Sequence, residues 1–383
     1  MGRAFLLTLL VCLDYMLSAQ QYSCGSSNSS IDTSQRLIYE HSLAQYIQNT
    51  KLKSDSADIY IPVVIHIVWH EGSENISDDI VLSQIEALNR DYTASNIDVQ
   101  YVPNEFKPLI GNAGIHFCLA AIDPNGNRTT GIIRVYTGQT EIGISQNLFV
   151  SAQGGSDQWD VSRYLNVWVA NTGRHIIGFG TYPWSIDTGG QGVVVNSSCF
   201  GISSNPRYGL GRVCVHEVGH YLGLIHPWGD VYDCSVDDSV PDTPMQIGPY
   251  YECPSYPTSG CSPSEMFMNY MDYANDQCEL LFTKGQISRM LATLHTSRSS
   301  LINNGTACQK ILNGVDEELN IYPNPSSGLL NIEFKNKGSE ILNIKIYNAL
   351  GQLVYTQSEL VNTTTVINLS HLPKGLYYLK TQK

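Results

Sequence analysis

The chain has 383 residues, and its 22 lysines and arginines against 35 aspartates and glutamates give a formal net charge of −13. This length predicts two domains, since a domain usually has roughly 100–200 residues, and a hydrophobic content of 42% excludes wholesale disorder. The acidic balance argues against nucleic-acid binding, which needs a basic surface. Ten cysteines favour an oxidising, extracellular environment.

The N-terminal residues have the order that is typical of a secretory signal peptide. Arg3 precedes an apolar run at 4–13, and the small residues Ser18 and Ala19 follow. The run is shorter than the ~20 residues of a membrane-spanning helix, and no later segment reaches that length. We therefore expect a signal peptide at 1–20, no transmembrane segment, and a protein that is secreted or lies at the cell surface.

The next part of the chain divides into a polar segment and a compact domain. Residues 21–57 are polar and predict a propeptide, with apolar residues at helical spacing over about 34–48. Residues 58–305 predict a domain that mixes strands and helices. Its predicted strands lie at 59–69, 115–122, 132–135, 165–169 and 192–195. Its predicted helices lie at 77–92, 211–224 and 283–303.

The character of the sequence changes after Cys308. Residues 316–383 alternate short apolar runs with turn signals such as Pro323-Asn324-Pro325, which predicts a small all-β sandwich. Its predicted strands lie at 329–334, 342–347, 353–355, 366–369 and 376–380. The fold class is therefore α+β for the first domain, followed by an all-β domain.

The string HEVGHYLGLIH, which begins at His216, carries the strongest chemical signal. On a helix, His216 and His220 lie on one face, so both imidazoles can bind one zinc ion. Glu217 lies between them, where it can reach an attacking water without being a ligand. Gly223 can adopt the positive φ that ends the helix and bring His226 to the same metal. Three histidines leave a fourth position open, as in catalytic zinc sites.

This string resembles the zinc-binding motif of the metzincin metallopeptidases. Members of that clan also have a methionine-containing turn beneath the metal, and Asn269–Tyr273 fits it with Met271 as the turn methionine. The resemblance implies that Tyr273 stabilises the oxyanion of the transition state. The alternatives are that Met271 only fills the core and that Tyr273 is an ordinary surface residue.

Further segments resemble the pappalysin family within this clan, including its bacterial members. They are Ile61–Val64 as the first strand, Asp242–Pro244 after the zinc helix, and Phe282–Met290 as the helix after the methionine turn. Together the matches span about residues 58–300. The resemblance implies a metzincin-type peptidase domain, with a mixed twisted sheet plus helices, that uses zinc to hydrolyse peptide bonds in proteins.

The family resemblance also implies two disulfides in the segment after the zinc motif. The implied pairs are Cys234–Cys261 and Cys253–Cys278. The residues alone allow three pairings of these four cysteines. Among the others, Cys214 on the zinc helix is expected to be a buried thiol. The sequence allows a Cys118–Cys199 pair and leaves Cys308 without an assignment.

Acidic residues in the same region resemble two sites of bacterial relatives. Asp238, Asp242 and Thr243 lie in a stretch that resembles a calcium-binding loop, and oxygen ligands suit this cation. A solvated acidic loop is the alternative. Asp276 falls where bacterial relatives have a carboxylate at the base of the S1′ pocket. The resemblance implies that Asp276 favours Arg or Lys at P1′ through a charge-assisted hydrogen bond.

Cys24 lies in the polar segment before the catalytic domain and is followed by glycine. Family members carry a comparable propeptide cysteine, whose thiolate occupies the open zinc position and keeps the enzyme latent. The alternative is an ordinary free or disulfide-linked cysteine. Activation requires a cut before the first strand, and a P1′ preference for Lys makes Thr50–Lys51 and Leu52–Lys53 candidate self-cleavage bonds.

The tail resembles a type A sorting domain of the type IX secretion system. The segments that carry the resemblance are Tyr322–Gly328, Ile346–Tyr355 and Leu369–Tyr377. It implies that the secretion machinery is a partner of this domain. Such domains usually continue with a turn and a last basic strand, which the sequence up to Lys383 does not show. An accessory sandwich that binds substrate or carbohydrate is the alternative.

Taken together, these features predict a secreted zinc metalloendopeptidase that acts on proteins or peptides. The main alternative is a catalytically silent, zinc-containing binding or adhesion protein, against which the intact Glu217 argues. A different zinc hydrolase, such as an amidase, is disfavoured by the three-histidine string together with the methionine turn.

Overall fold

The structure is a computed structural model. It describes residues 23–26, 33–49, 58–185, 189–302, 308, 319–323, 326, 328–334, 340–348, 352–361, 364–373, 375 and 377–382. The predicted signal peptide and both candidate self-cleavage bonds lie outside these residues. The proposed boundaries at 20, 57, 305 and 316 stay predictions.

The first part of the chain combines nine strands with five α-helices among the described residues. The strands are β1 (Ser23–Cys24), β2 (Ile59–Trp69), β3 (Ile115–Leu119), β4 (Ile132–Tyr136), β5 (Leu165–Ala170), β6 (Ile176–Gly180), β7 (Val193–Asn196), β8 (Tyr251–Glu252) and β9 (Tyr273–Ala274). The helices are α1 (Thr33–Asn49), α2 (Asp78–Tyr92), α3 (Arg212–Tyr221), α4 (Lys284–His295) and α5 (Ser299–Ile302).

Seven of these strands form one mixed sheet in the order β1-β6-β7-β5-β2-β3, with β4 also paired to β2. The pairs from β7 through β5 and β2 to β3 and β4 are parallel, whereas β6 runs antiparallel to β7. Strand β2 is apolar almost throughout, because a central parallel strand is covered on both faces. This mixed sheet with packed helices confirms the predicted α+β class.

Helices α2 and α3 pack on the sheet around one large core. Buried residues of β2, β5 and β7 contact Leu88 of α2 and Val215 and Val218 of α3. Helix α2 begins at the predicted cap, where the Ser77 hydroxyl accepts a hydrogen bond from the Ile80 N–H. Helix α3 thus lies directly against the sheet, which fixes the position of the predicted zinc ligands.

Several boundaries differ from those that the sequence predicts. Helix α3 ends at Tyr221 rather than 224, because the chain turns at Gly223, whose φ is 88°. The helix predicted over 283–303 is two helices, since Thr296 leaves the helical conformation with φ −118° and ψ −94°. Strand β6, with the sequence IIGFG, has no counterpart in the sequence predictions.

Three disulfides connect six of the nine described cysteines. They are Cys118–Cys308, Cys234–Cys261 and Cys253–Cys278. The last two are the pairs that the resemblance implies. The Cys118–Cys199 pair that the sequence allowed is not formed, because Cys308 occupies that place beside β3. Cys199 and Cys214 are buried thiols.

The tail forms two three-stranded antiparallel sheets, in the orders β10-β11-β14 and β13-β12-β15. Its strands are β10 (Leu319–Tyr322), β11 (Leu329–Phe334), β12 (Glu340–Asn348), β13 (Leu353–Val361), β14 (Thr364–Asn368) and β15 (Tyr377–Gln382). Ile332 and Ile367 from one sheet are buried with Ile344 and Ile346 from the other, which makes a small sandwich. Among the described residues, no helix is long and apolar enough to span a membrane.

Candidate active site

Helix α3 and the turn after it bring three imidazoles together. His216 and His220 lie one turn apart on α3, and the chain reverses at Gly223 so that His226 faces them. The Nε2 atoms are 3.0 Å apart for His216 and His220, 3.1 Å for His220 and His226, and 3.3 Å for His226 and His216. All three side chains are buried.

The partners of the Nδ1 atoms show which nitrogen carries the proton. Nδ1 of His216 lies 2.8 Å from the carbonyl oxygen of Tyr270, and Nδ1 of His220 lies 2.8 Å from that of Leu224. A carbonyl only accepts, so each Nδ1 donates. In the neutral rings, each Nε2 therefore presents a lone pair to the common centre.

Three lone pairs directed at one point repel one another unless a cation lies between them. Burial and the neighbouring His226 lower the pKa of His216 to about 3, and the pKa of His220 is also lowered, chiefly by burial. The rings of His216 and His220 thus stay neutral, as zinc ligands must be. A set of three imidazole donors fits zinc well, so the residues present suit the metal that the sequence predicts.

Asp230 and Trp228 hold the third histidine, and neither residue was predicted from the sequence. The Asp230 carboxylate accepts a short hydrogen bond from Nδ1 of His226. The Trp228 ring stacks on His226 with 4.5 Å between centroids and 4° between planes. A carboxylate behind a ligand histidine is a recurring feature of metal sites. The sequence signal that could have indicated them is proximity, since Trp228 and Asp230 follow His226 by two and four residues.

Glu217 lies beside this cluster and is almost completely buried, at 1% exposure. Burial raises the pKa of its carboxyl to about 8. Oε2 accepts hydrogen bonds from the Cys24 thiol and the Ser26 hydroxyl, both at 3.3 Å. Oε1 is buried and has no hydrogen-bond partner among the described residues. A Cβ on Gly178 of β6 would come within 2.9 Å of this carboxylate, so glycine gives it room.

Cys24 lies directly over the cluster. Strand β1 adds to the edge of the sheet parallel to β6, with Cys24 opposite Gly178. The Gly25 N–H donates to the Gly178 carbonyl at 2.8 Å, and the Gly180 N–H donates to the Ser26 hydroxyl at 2.8 Å. The Cys24 sulfur and one ring nitrogen of each of the three histidines all lie within 4.8 Å of one another. Residues 23–26 therefore cover the histidine cluster.

Met271 lies beneath α3, and Tyr273 lies beside the ligands. A Cβ on Gly219 would meet the Met271 sulfur at 2.5 Å, so the methionine packs directly against the zinc helix. The Tyr273 ring lies 5.0 Å from that of His226 and 5.8 Å from that of His216, measured between centroids. Met271 therefore packs beneath the zinc helix and Tyr273 lies beside the histidines, while the methionine-turn and oxyanion roles stay predictions.

A pocket opens next to Glu217, and its lining includes Tyr208, Asp276 and Glu279. The Asp276 Oδ2 accepts the Leu210 N–H at 2.7 Å, so this carboxylate already has a protein partner. Burial raises its pKa to about 6. Glu279 is 4% exposed, and burial raises its pKa well above the usual range. The sequence reading missed Glu279, which comes directly after a disulfide cysteine.

The predicted calcium residues do not form one ligand cluster among the described carboxylates. The Asp238 carboxylate accepts the Thr243 hydroxyl at 2.7 Å and the Val240 N–H at 3.0 Å. Asp242 instead accepts the Thr283 hydroxyl at 2.6 Å and the Gly285 N–H at 2.9 Å, at the start of α4. Calcium binding stays a prediction.

A mixed sheet that packs on a helix with two ligand histidines, followed by a glycine turn, a third histidine and a methionine below, defines a metzincin-type zinc peptidase. Comparisons with known proteins agree. The family model described as pregnancy-associated plasma protein-A matches residues 150–295, and that of a secretion system C-terminal sorting domain matches residues 320–383.

Relatives extend the match over most of the chain. An extracellular metalloprotease of Arthroderma gypseum is 30% identical over 71% of this chain and 83% of its own length. Mature mirolysin of Tannerella forsythia, solved in complex with a cleaved peptide, superposes with a TM-score of 0.63 and 42% identity over 66% of this chain and 98% of that chain. A promirolysin mutant of the same organism superposes with a TM-score of 0.68 and 37% identity, over 74% of this chain and 98% of that chain.

The chain belongs to the pappalysin family of metzincin metallopeptidases. It is a metalloprotease that is secreted or displayed at the cell surface, and its tail is a type IX sorting domain. The match therefore favours a sorting signal over the alternative, an accessory sandwich that binds substrate or carbohydrate.

Proposed function

We propose that this protein is a zinc endopeptidase in which Glu217 is the general base and then the general acid. When bound by the three histidines, zinc supplies Lewis acidity that polarises the scissile carbonyl and acidifies the attacking water. Glu217 removes the proton from that water and delivers it to the leaving amine. The observation that carries the proposal is the buried Glu217 carboxylate beside three converging imidazoles.

Tyr273 stabilises the oxyanion in this mechanism. Its ring packs edge-on against His226 and Trp228, both with centroids 5.0 Å away, which fixes the phenol beside the ligands. A hydroxyl held next to the scissile carbonyl donates to the oxygen as negative charge develops on it.

The test of the central assignment is the substitution Glu217→Ala, compared with the wild type after the prosegment has been removed from both proteins. We expect zinc content to stay at one ion per chain while casein cleavage falls by roughly 100- to 10,000-fold. An exposed glutamate gives the matched control, and Glu105→Ala should leave both quantities unchanged. Substantial casein cleavage by the zinc-loaded Glu217→Ala protein would contradict the assignment.

The acidic pocket next to Glu217 supports a preference for Arg or Lys at P1′. Asp276 was the sequence candidate, and Glu279 adds a second buried carboxylate to the same pocket. Because Asp276 already accepts the Leu210 N–H, we assign the larger share of the recognition to Glu279. Cleavage of a peptide library should show basic P1′ residues, and Glu279→Gln should weaken that preference by at least tenfold. An unchanged P1′ profile would contradict this role.

Latency is the second part of the proposal. Cys24 blocks the metal until the prosegment is removed, and its contacts with β6 and Glu217 support this role. The full chain with Cys24→Ala should show peptidase activity before any cut, whereas Cys199→Ala, which changes a buried thiol elsewhere, should stay latent. The N-terminus of the active product is determined by sequencing. An active product that still contains Cys24 would contradict the proposal.

We also propose that calcium binds near Asp238. Its carboxylate is 1% exposed, and burial raises its pKa to about 7, a cost that a bound cation would offset. Calcium should raise the thermal midpoint of the wild-type chain and have a smaller effect on Asp238→Asn. Equal effects on both proteins would contradict calcium binding there.

A further inference from the structure

The prosegment contacts the peptidase domain at a second surface, away from the histidines. Helix α1 lies on α4 and on the loop that follows β6. Tyr39 and Leu43, four residues apart on one face of α1, are 5% and 2% exposed. They share one buried cluster with Tyr182, Trp184, Ile225 and Ala292. Burying side chains of this size is a substantial source of binding free energy.

Polar contacts fix the orientation of α1 on this surface. Both Nη atoms of Arg289 on α4 donate to the Glu40 carboxylate, one of them at 2.8 Å. The Arg289 Nε donates to the Gly223 carbonyl at 2.7 Å, so the guanidinium is held from the peptidase side as well. The hydroxyls of Tyr39 and Thr293 lie 2.6 Å apart. A bidentate pair that is largely desolvated adds both affinity and register.

The opposite face of α1 makes no comparable contact with the residues that the structure describes. Leu37 and Ile38 are 65% and 64% exposed although both are large and apolar. The helix is therefore held through the face that carries Tyr39, Glu40 and Leu43, and Leu37 offers an internal control of the same chemical type.

The two contact surfaces of the prosegment are distinct. The segment Ser23–Ser26 contacts β6 and Glu217. Helix α1 instead contacts α4 and the aromatic pair Tyr182–Trp184, and its Tyr39 hydroxyl lies against Gly223. The contacts described for α1 are all made with residues other than those that join α1 to β2. The helix can thus be recognised as a separate ligand.

We propose that α1 is an autonomous docking helix. The peptidase surface on α4 binds this helix whether or not the helix is covalently joined to β2. This inference rests on the proposed latency through Cys24 and adds the element that holds Cys24 in place. A single cut between α1 and β2 then leaves the prosegment bound and the peptidase latent. Activity begins only when α1 dissociates or is degraded.

The strength of the docking depends on named side chains. Leu43→Ala removes most of a buried side chain and should weaken binding roughly 10- to 100-fold. Glu40→Gln removes the charge that faces Arg289 and should weaken binding roughly tenfold, with a smaller effect at high salt. Leu37→Ala, on the exposed face, should change binding less than twofold.

The test uses the full chain with a recognition sequence for a site-specific protease inserted after Lys53. The background is Glu217→Gln, which prevents self-digestion and keeps an oxygen acceptor for Cys24. After the cut, size-exclusion chromatography under native conditions should show the prosegment co-eluting with the peptidase. Co-elution should persist in Leu37→Ala and be lost in Leu43→Ala combined with Glu40→Gln. The uncut variants, by elution volume and thermal midpoint, report that each protein is folded.

Two results overturn the proposal: release of the prosegment from the cut but otherwise unsubstituted chain, or release from Leu37→Ala as readily as from the double variant. The same cut chains with the native Glu217 are then assayed for peptidase activity, which separates this inference from the proposed function. If the cut Cys24→Ala chain keeps its prosegment and is latent, the role of Cys24 fails and the docking stands. If no chain is active even after removal of the prosegment in urea and refolding, the peptidase proposal fails, while co-elution still decides the docking.

Discussion

The His226 imidazole is oriented from behind by Asp230, whose carboxylate accepts the Nδ1 proton. Asp230 has a φ of 64°, which places it in the turn just after the third ligand. Such a partner fixes the ring and raises the basicity of the ligating nitrogen. Asp230 is therefore a positioning residue for the metal.

Asp230→Ala should lower zinc affinity roughly 10- to 100-fold, because outer carboxylates of this kind contribute that much in other metal sites. Competition with a chromophoric chelator measures the affinity directly. Asp233→Ala, three residues later and exposed, is the matched control and should bind zinc as the wild type does. Equal affinities for all three proteins would show that Asp230 does not position His226.

His66 is a buried histidine whose neutral form is fully hydrogen-bonded. Its Nδ1 lies 2.8 Å from the Ser156 hydroxyl, and its Nε2 lies 3.0 Å from the Asn166 side-chain oxygen. That oxygen also accepts the Trp159 N–H, so Nε2 donates and Nδ1 accepts from Ser156. Burial lowers the pKa of His66 from 6.5 to about 4, against the opposing effects of the Asn166 hydrogen bond and of Asp157.

The lowered pKa of His66 predicts a loss of stability in acid. As pH falls below about 6.5, the unfolded chain binds a proton that the folded chain takes up only near pH 4, so unfolding is favoured across that window. Between pH 7.5 and pH 5, the wild-type free energy of unfolding should fall by about 2 kcal/mol more than that of His66→Gln. Denaturant titrations at the two pH values measure this difference. Parallel losses in the two proteins would exclude His66 as the cause.

At the scale of elements, the Cys118–Cys308 disulfide joins β3 to the chain beyond α5. It closes a loop with a sequence separation of 190 residues, against 27 for Cys234–Cys261. A cross-link stabilises mainly by restricting the unfolded chain, and the restriction grows with loop length. The longer bridge therefore holds the end of the peptidase domain to its central sheet.

Replacing both Cys118 and Cys308 by serine should lower the free energy of unfolding by about 5 kcal/mol, and the same change at Cys234 and Cys261 by about 4 kcal/mol. The order of the two losses follows from loop length alone. Chemical denaturation of the oxidised proteins measures both. A larger loss at Cys234–Cys261 would mean that native-state contacts, rather than chain entropy, dominate.

The elements that could be predicted share one property: their signal is local. The caps of α2 and α4, the apolar run of β2 and the spacing of His216 and His220 are all readable within a few residues. Strand β6 was missed because its glycines make room for Glu217 and His220, so its sequence lacks a strand pattern. The Cys118–Cys308 pair could not be predicted, because it depends on which strand lies beside Cys308 in the folded chain.

The same distinction applies to the site. Zinc ligands and Glu217 follow from one motif, whereas Glu279 and the surface under α1 are defined by neighbours that are distant in sequence. Glu279 looks like any acidic residue until its burial in the pocket with Asp276 is known. The face of α1 could not be chosen from the sequence because Leu37 and Ile38 are as apolar as Leu43, and only packing separates them.

For the whole molecule, the tail has a core of its own. Ile332, Ile344, Ile346 and Ile367 are buried with one another, and no residue of the large peptidase core belongs to that cluster. A chain that ends at residue 316 should therefore keep its peptidase activity. In a bacterium with type IX secretion, it should accumulate inside the cell rather than in the medium, as immunoblots of the two fractions would show. Lower activity on casein after truncation would instead indicate a substrate-binding tail.

The parallel pairing of β1 with β6 has a consequence for what the active enzyme recognises. In the proposed active form, from which the prosegment has been removed, the backbone N–H and C=O groups of Gly178 and Gly180 would form an open sheet edge beside Glu217. An open edge binds extended chains through their main chain, by β-augmentation. Loops and unfolded segments meet that requirement, whereas a helix has already used its amide hydrogen bonds. Local unfolding of a target protein should then control how fast it is cut, more than the side chains that surround the scissile bond.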